Sequence, residues 1–195
     1  MDTAIIILPV LIRLLYGTGL RIGEALALKN KDINLDDNYF IVRDSKNGKE
    51  RLIPISASLS EVLKQYVKYK NLLPISFLRT DNLFITLSGG ACTVDHIRKW
   101  FKKILWEAGI SCNPHGPRLH DLRHTFSVHS LAMMAEAGTD LYCSLPTLSS
   151  YLGHQSLEAT NSYVRLTSEM YPGLLKDVDL ICLNVFPKTE YYATN

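Results

Sequence analysis

The stretch Ile5 to Leu15 limits the folding choices of this chain most, because its apolar residues run nearly all the way round a helix. A helix that is apolar on every side has to be buried, so this segment belongs inside a core. Pro9 and Arg13 interrupt it, and Asp2 precedes it where a secretion signal carries basic residues. It is therefore read neither as a membrane-spanning helix nor as a signal peptide. The rest of the chain can surround it: 195 residues, 47% apolar and 21% charged, suit one globular domain with a short extension and exclude disorder. The net charge of +2 is uninformative, so any case for a nucleic-acid partner has to come from local clusters. Cys92, Cys112, Cys143 and Cys182 form no CxxC pair and no repeating spacing. That argues against a disulfide scaffold or a structural zinc site and fits a reducing cytosol.

Gly17-Thr18-Gly19 ends the first helix, and Leu20 to Leu28 carries a second short helical pattern, so Arg21 opens a helix just after a glycine turn. Asn38 to Arg43 and Arg51 to Ile55 read as strands. The link between them contains Asn47-Gly48, a strong two-residue hairpin signal, which places Lys46 opposite Lys49 at the tip. Ser58 and Glu61 form a capping box for a helix reaching about Lys70, and Asn82 to Thr86 reads as a third strand. Thr93 caps a helix through Trp106, closed by Gly109, and a further helix starts near His120 or Asp121 and ends at Gly138. Pro146 suits the first turn of a short helix to Leu152, stopped by Gly153, and Ser156 caps one more helix carrying Tyr163. The expected fold is mainly α with a small antiparallel β-sheet, in the α+β class, with no internal repeat.

Several of these segments together meet the needs of a phosphodiester transesterification: a nucleophile, cations on the non-bridging oxygens and an acid for the leaving alkoxide. Arg21 and Arg123 can each make a forked contact with phosphate oxygens. His120 and Arg123 stand three apart and share a helix face. His154, just past a glycine stop, can reach the same phosphate, and Lys46 at a hairpin tip can bring the leaving-group proton. Tyr163 supplies the attacking phenolic oxygen. The scheme requires no metal and no cofactor.

Arg21-Ile22-Gly23-Glu24, Lys46 in a hairpin, His120-Asp121-Leu122-Arg123, Leu152-Gly153-His154 and a tyrosine nine residues on occur here in the order and spacing of the tyrosine recombinase (phage integrase) family. Lys46, Lys49, Arg51 and Pro54 also stand at that family's hairpin offsets. The chain thus resembles the family's catalytic domain from about Leu11 to Leu166. The resemblance implies that Tyr163 attacks DNA to form a 3′-phosphotyrosyl bond, with Arg21, Arg123, His120 and His154 around the phosphate and Lys46 as general acid. Glu24 is expected to brace Arg21 from behind, and no ATP is needed. It also implies double-stranded DNA as partner, a homotetramer on DNA, a monomer in isolation, no membrane, and a cytoplasmic location on the nucleoid when bound.

Blander assignments hold for much else. Tyr171, Tyr191 and Tyr192 lack the spacing of Tyr163, and His124 and His129 are assigned to structure or packing. The pair His120 and His124 has no intervening Glu and no third ligand, so it is not a zinc site. Lys49 and Arg51 at the hairpin, and Arg98, Lys99 and Lys102 on one helix, are expected to meet the DNA backbone. Residues 1–178 are expected to form the catalytic domain and 179–195 a tail, with Leu180 to Phe186 either docking on a neighbouring protomer in the assembled complex and on their own chain when free, or forming a permanent part of their own core. The family's preceding core-binding domain is expected to be absent, and the stretch Ala135 to Pro146 is longer than in many members. Competing functions are a catalytically silent DNA-binding or synapsis module, a type IB topoisomerase-like activity, and a metal-dependent phosphodiesterase.

Overall fold

The structure is a computed structural model that describes residues 4–43, 50–73, 80–112, 116–154, 160 and 163. Helix α1 (Ala4–Thr18) runs through the middle of the core, with Ile7, Leu8, Leu11, Leu14 and Leu15 at most 1% exposed. Around it pack α2 (Ile22–Ala27), α3 (Ala57–Asn71), α4 (Val94–Glu107) and α5 (Asp121–Glu136). The apolar faces of α1 are buried as expected, but the burial is not all round: Pro9, Arg13 and Tyr16 form one exposed stripe along the helix. Helix α6 (Leu141–Leu152) lies against α5, where Leu131, Leu148, Leu152 and Tyr163 form a second, smaller apolar cluster.

One three-stranded antiparallel sheet joins β1 (Ile33–Asn34), β2 (Tyr39–Val42) and β3 (Arg51–Pro54) in that order. Strands β2 and β3 match the expected pair, whereas the two-residue β1 is too short to carry a period-2 signal. Phe40, Val42 and Ile53 point into the core. At the open end of β2 and β3, Arg43 donates through Nε to Asp32 (2.6 Å) and through Nη1 to Glu50 (2.8 Å), bracing the base of the hairpin. Val42 stands opposite Arg51. The turn itself, with Lys46 and Lys49, lies outside the described residues.

Three local expectations are corrected. Helix α3 is capped by Ser56, whose Oγ accepts the Leu59 N–H at 3.2 Å, so Ser58 falls inside the helix. The run Asn82 to Thr86 makes only isolated bridges, Lys29 with Asn82 and Ile85 with Ala91. Leu83, Phe84 and Ile85 are all buried, so this apolar run is a core segment instead of a strand with one solvated face. Helix α6 begins five residues before Pro146, which sits within it. The long stretch from Ala135 is therefore mostly helix, with Ala137 to Asp140 as its link. The tail from Val164 onward lies outside the described residues. No described helix is long and apolar enough to cross a membrane.

Candidate active site

The site begins at the turn between α1 and α2. Gly19 has φ +62°, a left-handed conformation open to glycine, and the ring of Phe126 fills the place a Cβ would take. That turn sets Arg21 as the N-cap of α2. Glu24, one turn on, accepts the Arg21 backbone N–H through Oε2 (2.9 Å) and its Nη1 through Oε1 (3.1 Å). The expected brace on Arg21 is thus present as a contact. Glu24 also accepts Nη2 of Arg51 at 2.8 Å. Burial pushes the Glu24 carboxyl up, but the hydrogen bonds from Arg51 and the Arg21 backbone, with both guanidinium charges, outweigh it and hold the pKa below its ordinary value.

Arg123, in the first turn of α5, is 2% exposed and knits distant segments together. Its Nη1 donates to the Gly19 carbonyl (2.6 Å) and its Nη2 to the Leu152 carbonyl (2.9 Å). Burial, then repulsion from Arg21, lowers its pKa to about 10, so it stays charged at neutral pH. His120 is the N-cap of the same helix, and its ring meets that of His124 edge-on at 4.7 Å.

At the far end of α6 the Gly153 N–H donates to the Ser150 carbonyl and the His154 N–H to the Ser149 carbonyl, a glycine-closed helix stop. His154 Nδ1 lies 2.8 Å from the hydroxyl of the fully buried Thr160. Burial, followed by the positive charges of Arg123, Arg21 and Arg51, pushes the His154 pKa down to about 4. Its imidazole is therefore neutral at pH 7. Tyr163, helical and 4% exposed, stacks on His154 with centroids 5.9 Å apart and lies 5.4 Å from His124 on another side.

The structure thus gathers Arg21, Glu24, His120, Arg123, His154 and Tyr163 from four separate stretches of chain. Two further residues join them. His124, assigned from sequence to packing, sits between His120 and Tyr163, and its Nδ1 is buried without a hydrogen-bond partner among the described residues. Its only sequence signal was the i, i+4 spacing from His120. Arg51, expected to meet the DNA backbone, is turned inward, its side chain 13% exposed and paired with Glu24. Arg98, Lys99 and Lys102 are exposed on α4, with Ile97 and Leu105 buried on its other side. Among the described residues no group of three or more His, Cys, Asp or Glu is placed to hold a metal ion.

The fold and this set of side chains define a class. The model of the phage integrase family matches residues 2–170, and the chain belongs to that family. It is 36% identical over 159 residues to a putative integrase/recombinase, y4rB, of Sinorhizobium fredii, covering 80% of this chain and 51% of that protein. It is 33% identical over 170 residues to the tyrosine recombinase XerA of Pyrococcus horikoshii, covering 86% and 53%. Among solved structures it resembles the XerH site-specific recombinase bound to palindromic difH substrate in a post-cleavage complex. That match has a TM-score of 0.65 and 26% identity, and it covers 87% of this chain and 45% of that one. The chain spans about half the length of the curated relatives it matches.

Proposed function

We propose that this chain is the catalytic part of a site-specific DNA recombinase that cuts and rejoins strands through a covalent tyrosine link. Tyr163 gives its phenolic proton to a neutral imidazole beside it and attacks the scissile phosphorus, the bond to the 5′-oxygen breaks, and that oxygen leaves as a hydroxyl with a proton from Lys46. A 5′-hydroxyl from another strand then reverses the step and releases Tyr163. Arg21 and Arg123 stabilise the crowded phosphorane by forked donation. In the tautomer whose Nδ1 accepts from the Thr160 hydroxyl, His154 carries a hydrogen on Nε2 for a phosphate oxygen, and His120 adds a further polar contact. The chemistry is carried by these side chains without metal or ATP.

The observation that supports this reading most is the stacking of Tyr163 on His154, beside the buried Arg123 that ties the Gly19 turn to the end of α6 and near the Arg21–Glu24–Arg51 cluster. Such a cluster of cations suits an anion beside a phenol, because the acid beside it, Glu24, is already engaged by Arg21 and Arg51. The exposed Arg98, Lys99 and Lys102 suit the duplex backbone. On DNA the chain is proposed to act as a homotetramer; alone it is a monomer, located wherever its DNA is.

The test is covalent capture. Randomised nicked duplexes are incubated with the chain in the presence of chelator, and retained DNA is sequenced and its attachment site mapped by mass spectrometry. An adduct on Tyr163, lost in Tyr163→Phe with DNA affinity within a few-fold, is the expected result. Binding without any adduct would mark a silent DNA-binding module, and supercoil relaxation without strand exchange a topoisomerase.

A further inference from the structure

The strand that follows the lysine hairpin carries a guanidinium into the site from behind. Arg51 is the first residue of β3, and its Nη2 takes one edge of the Glu24 carboxylate. Arg21 holds the same carboxylate through its backbone N–H and its Nη1, so a single buried acid serves two arginines. The other nitrogens of Arg51, Nε and Nη1, are buried and have no hydrogen-bond partner among the described residues. They lie over Gly153, where a Cβ would fall 2.8 Å from Nη1 and 3.2 Å from Cζ. A buried guanidinium with unpaired nitrogens costs stability, so stability alone does not account for its position.

We infer that Arg51 is a positioning residue acting on Arg21 through Glu24. While Arg51 occupies Oε2, Glu24 gives the Arg21 guanidinium one oxygen, and the remaining Arg21 donors are left for an anion. Without Arg51 the carboxylate is free to take Arg21 in a two-pronged pair, which neutralises that guanidinium and turns its fork away from the phosphate. Resting on Gly153, Arg51 also ties this clamp to the helix stop that presents His154. The glycine of Leu152-Gly153-His154 thereby acquires a second purpose, as the seat of Arg51. This inference rests on the recombinase reading, because it concerns the phosphate that Arg21 would hold.

The experiment measures three quantities on duplexes captured as above: the single-turnover rate of Tyr163 adduct formation at saturating DNA, the Kd and the Tm. Arg51→Gln, Arg51→Lys and Glu24→Gln are compared in the native chain and in an Arg21→Lys background. Arg51→Gln is expected to slow the saturated rate at least ~10-fold with Kd within about 3-fold, as misplacement of a transition-state donor does. Arg51→Lys recovers most of that loss, since an ammonium still reaches Glu24. In the Arg21→Lys background Arg51→Gln should cost less than about 2-fold, the non-additivity of residues acting as one unit. A loss confined to Kd would make Arg51 a direct DNA contact. A loss confined to Tm would make it purely structural, and a full additive loss beside Arg21→Lys would show that it does not act through Arg21. Each of these overturns the inference. If Arg51→Gln does not fold, Arg51→Met, which keeps an unbranched apolar stem in the buried site, gives the same comparison in the two backgrounds. Absence of any Tyr163-dependent adduct in the native chain would remove the recombinase reading and this inference with it. An adduct at an unchanged rate in Arg51→Gln removes the inference alone.

Discussion

Arg123 donates 2.9 Å to the carbonyl of Leu152, so the last residue of α6 is fixed by a side chain from the start of α5. The other fork of the guanidinium holds Gly19, which places one buried cation between the turn that sets Arg21 and the stop that sets His154. A lysine cannot span both carbonyls, and leaving either unpaired costs about 1–3 kcal/mol. Arg123→Lys should therefore lower the Tm and also slow adduct formation at least ~10²-fold, since a point charge does not replace a forked donor at the transition state. Near-native Tm and rate together would remove Arg123 from both roles.

Gly19 and Phe126 form a second such contact. Alanine at position 19 would meet the Phe126 ring and force a side chain into a left-handed conformation, for a combined cost on the order of 1–3 kcal/mol. Gly19→Ala should unfold at lower denaturant than the native chain, and Phe126→Leu in the same molecule should return part of the loss. Equal loss with and without Phe126→Leu would assign the whole effect to the backbone.

Local signals carried much of this fold into the sequence: the cap at Thr93, the glycine stop before His154 and the apolar run of α1 each depend on neighbours within a few residues. Pro146 misled because the residues before it also accept a helix and a proline is tolerated inside one when packing compensates. The motif residues were legible as a set, yet their partnerships were not. Arg123 reaches Gly19 across 104 residues and Arg51 reaches Glu24 across 27, and no periodicity reports contacts of that range. His124 was hidden for another reason, since a histidine one turn from His120 looks like packing until Tyr163 is brought against it.

Acid should destabilise the free chain through its histidines. His154 is held down to about 4, and His120 and His124 are also lowered, all three by burial first. Between the ordinary histidine value of about 6.5 and the lowered ones, the unfolded chain binds more protons than the folded chain, so stability rises with pH. The contribution is complete above about pH 6.5 and is lost as pH falls toward 4. Thermal unfolding followed from pH 7 to 4.5 should show a falling Tm, with a shallower fall in His154→Gln. Identical slopes in the two chains would mean that burial and the nearby arginines do not hold down the His154 pKa in solution.

The choice of general acid rests on chemistry, because the turn that carries Lys46 and Lys49 lies outside the described residues. A lysine that protonates the leaving 5′-oxygen is needed only while that oxygen is a poor leaving group. Lys46→Ala should thus slow cleavage of ordinary DNA by ~10²- to 10⁴-fold, the usual contribution of a general acid. A substrate with sulfur in place of the bridging 5′-oxygen departs as a thiolate and needs no proton, so Lys46→Ala should cleave it at close to the native rate. Lys49→Ala should slow both substrates to a similar and smaller degree, as loss of a backbone contact would. If the sulfur substrate rescues Lys49→Ala and leaves Lys46→Ala slow, Lys49 is the acid and Lys46 merely holds the duplex.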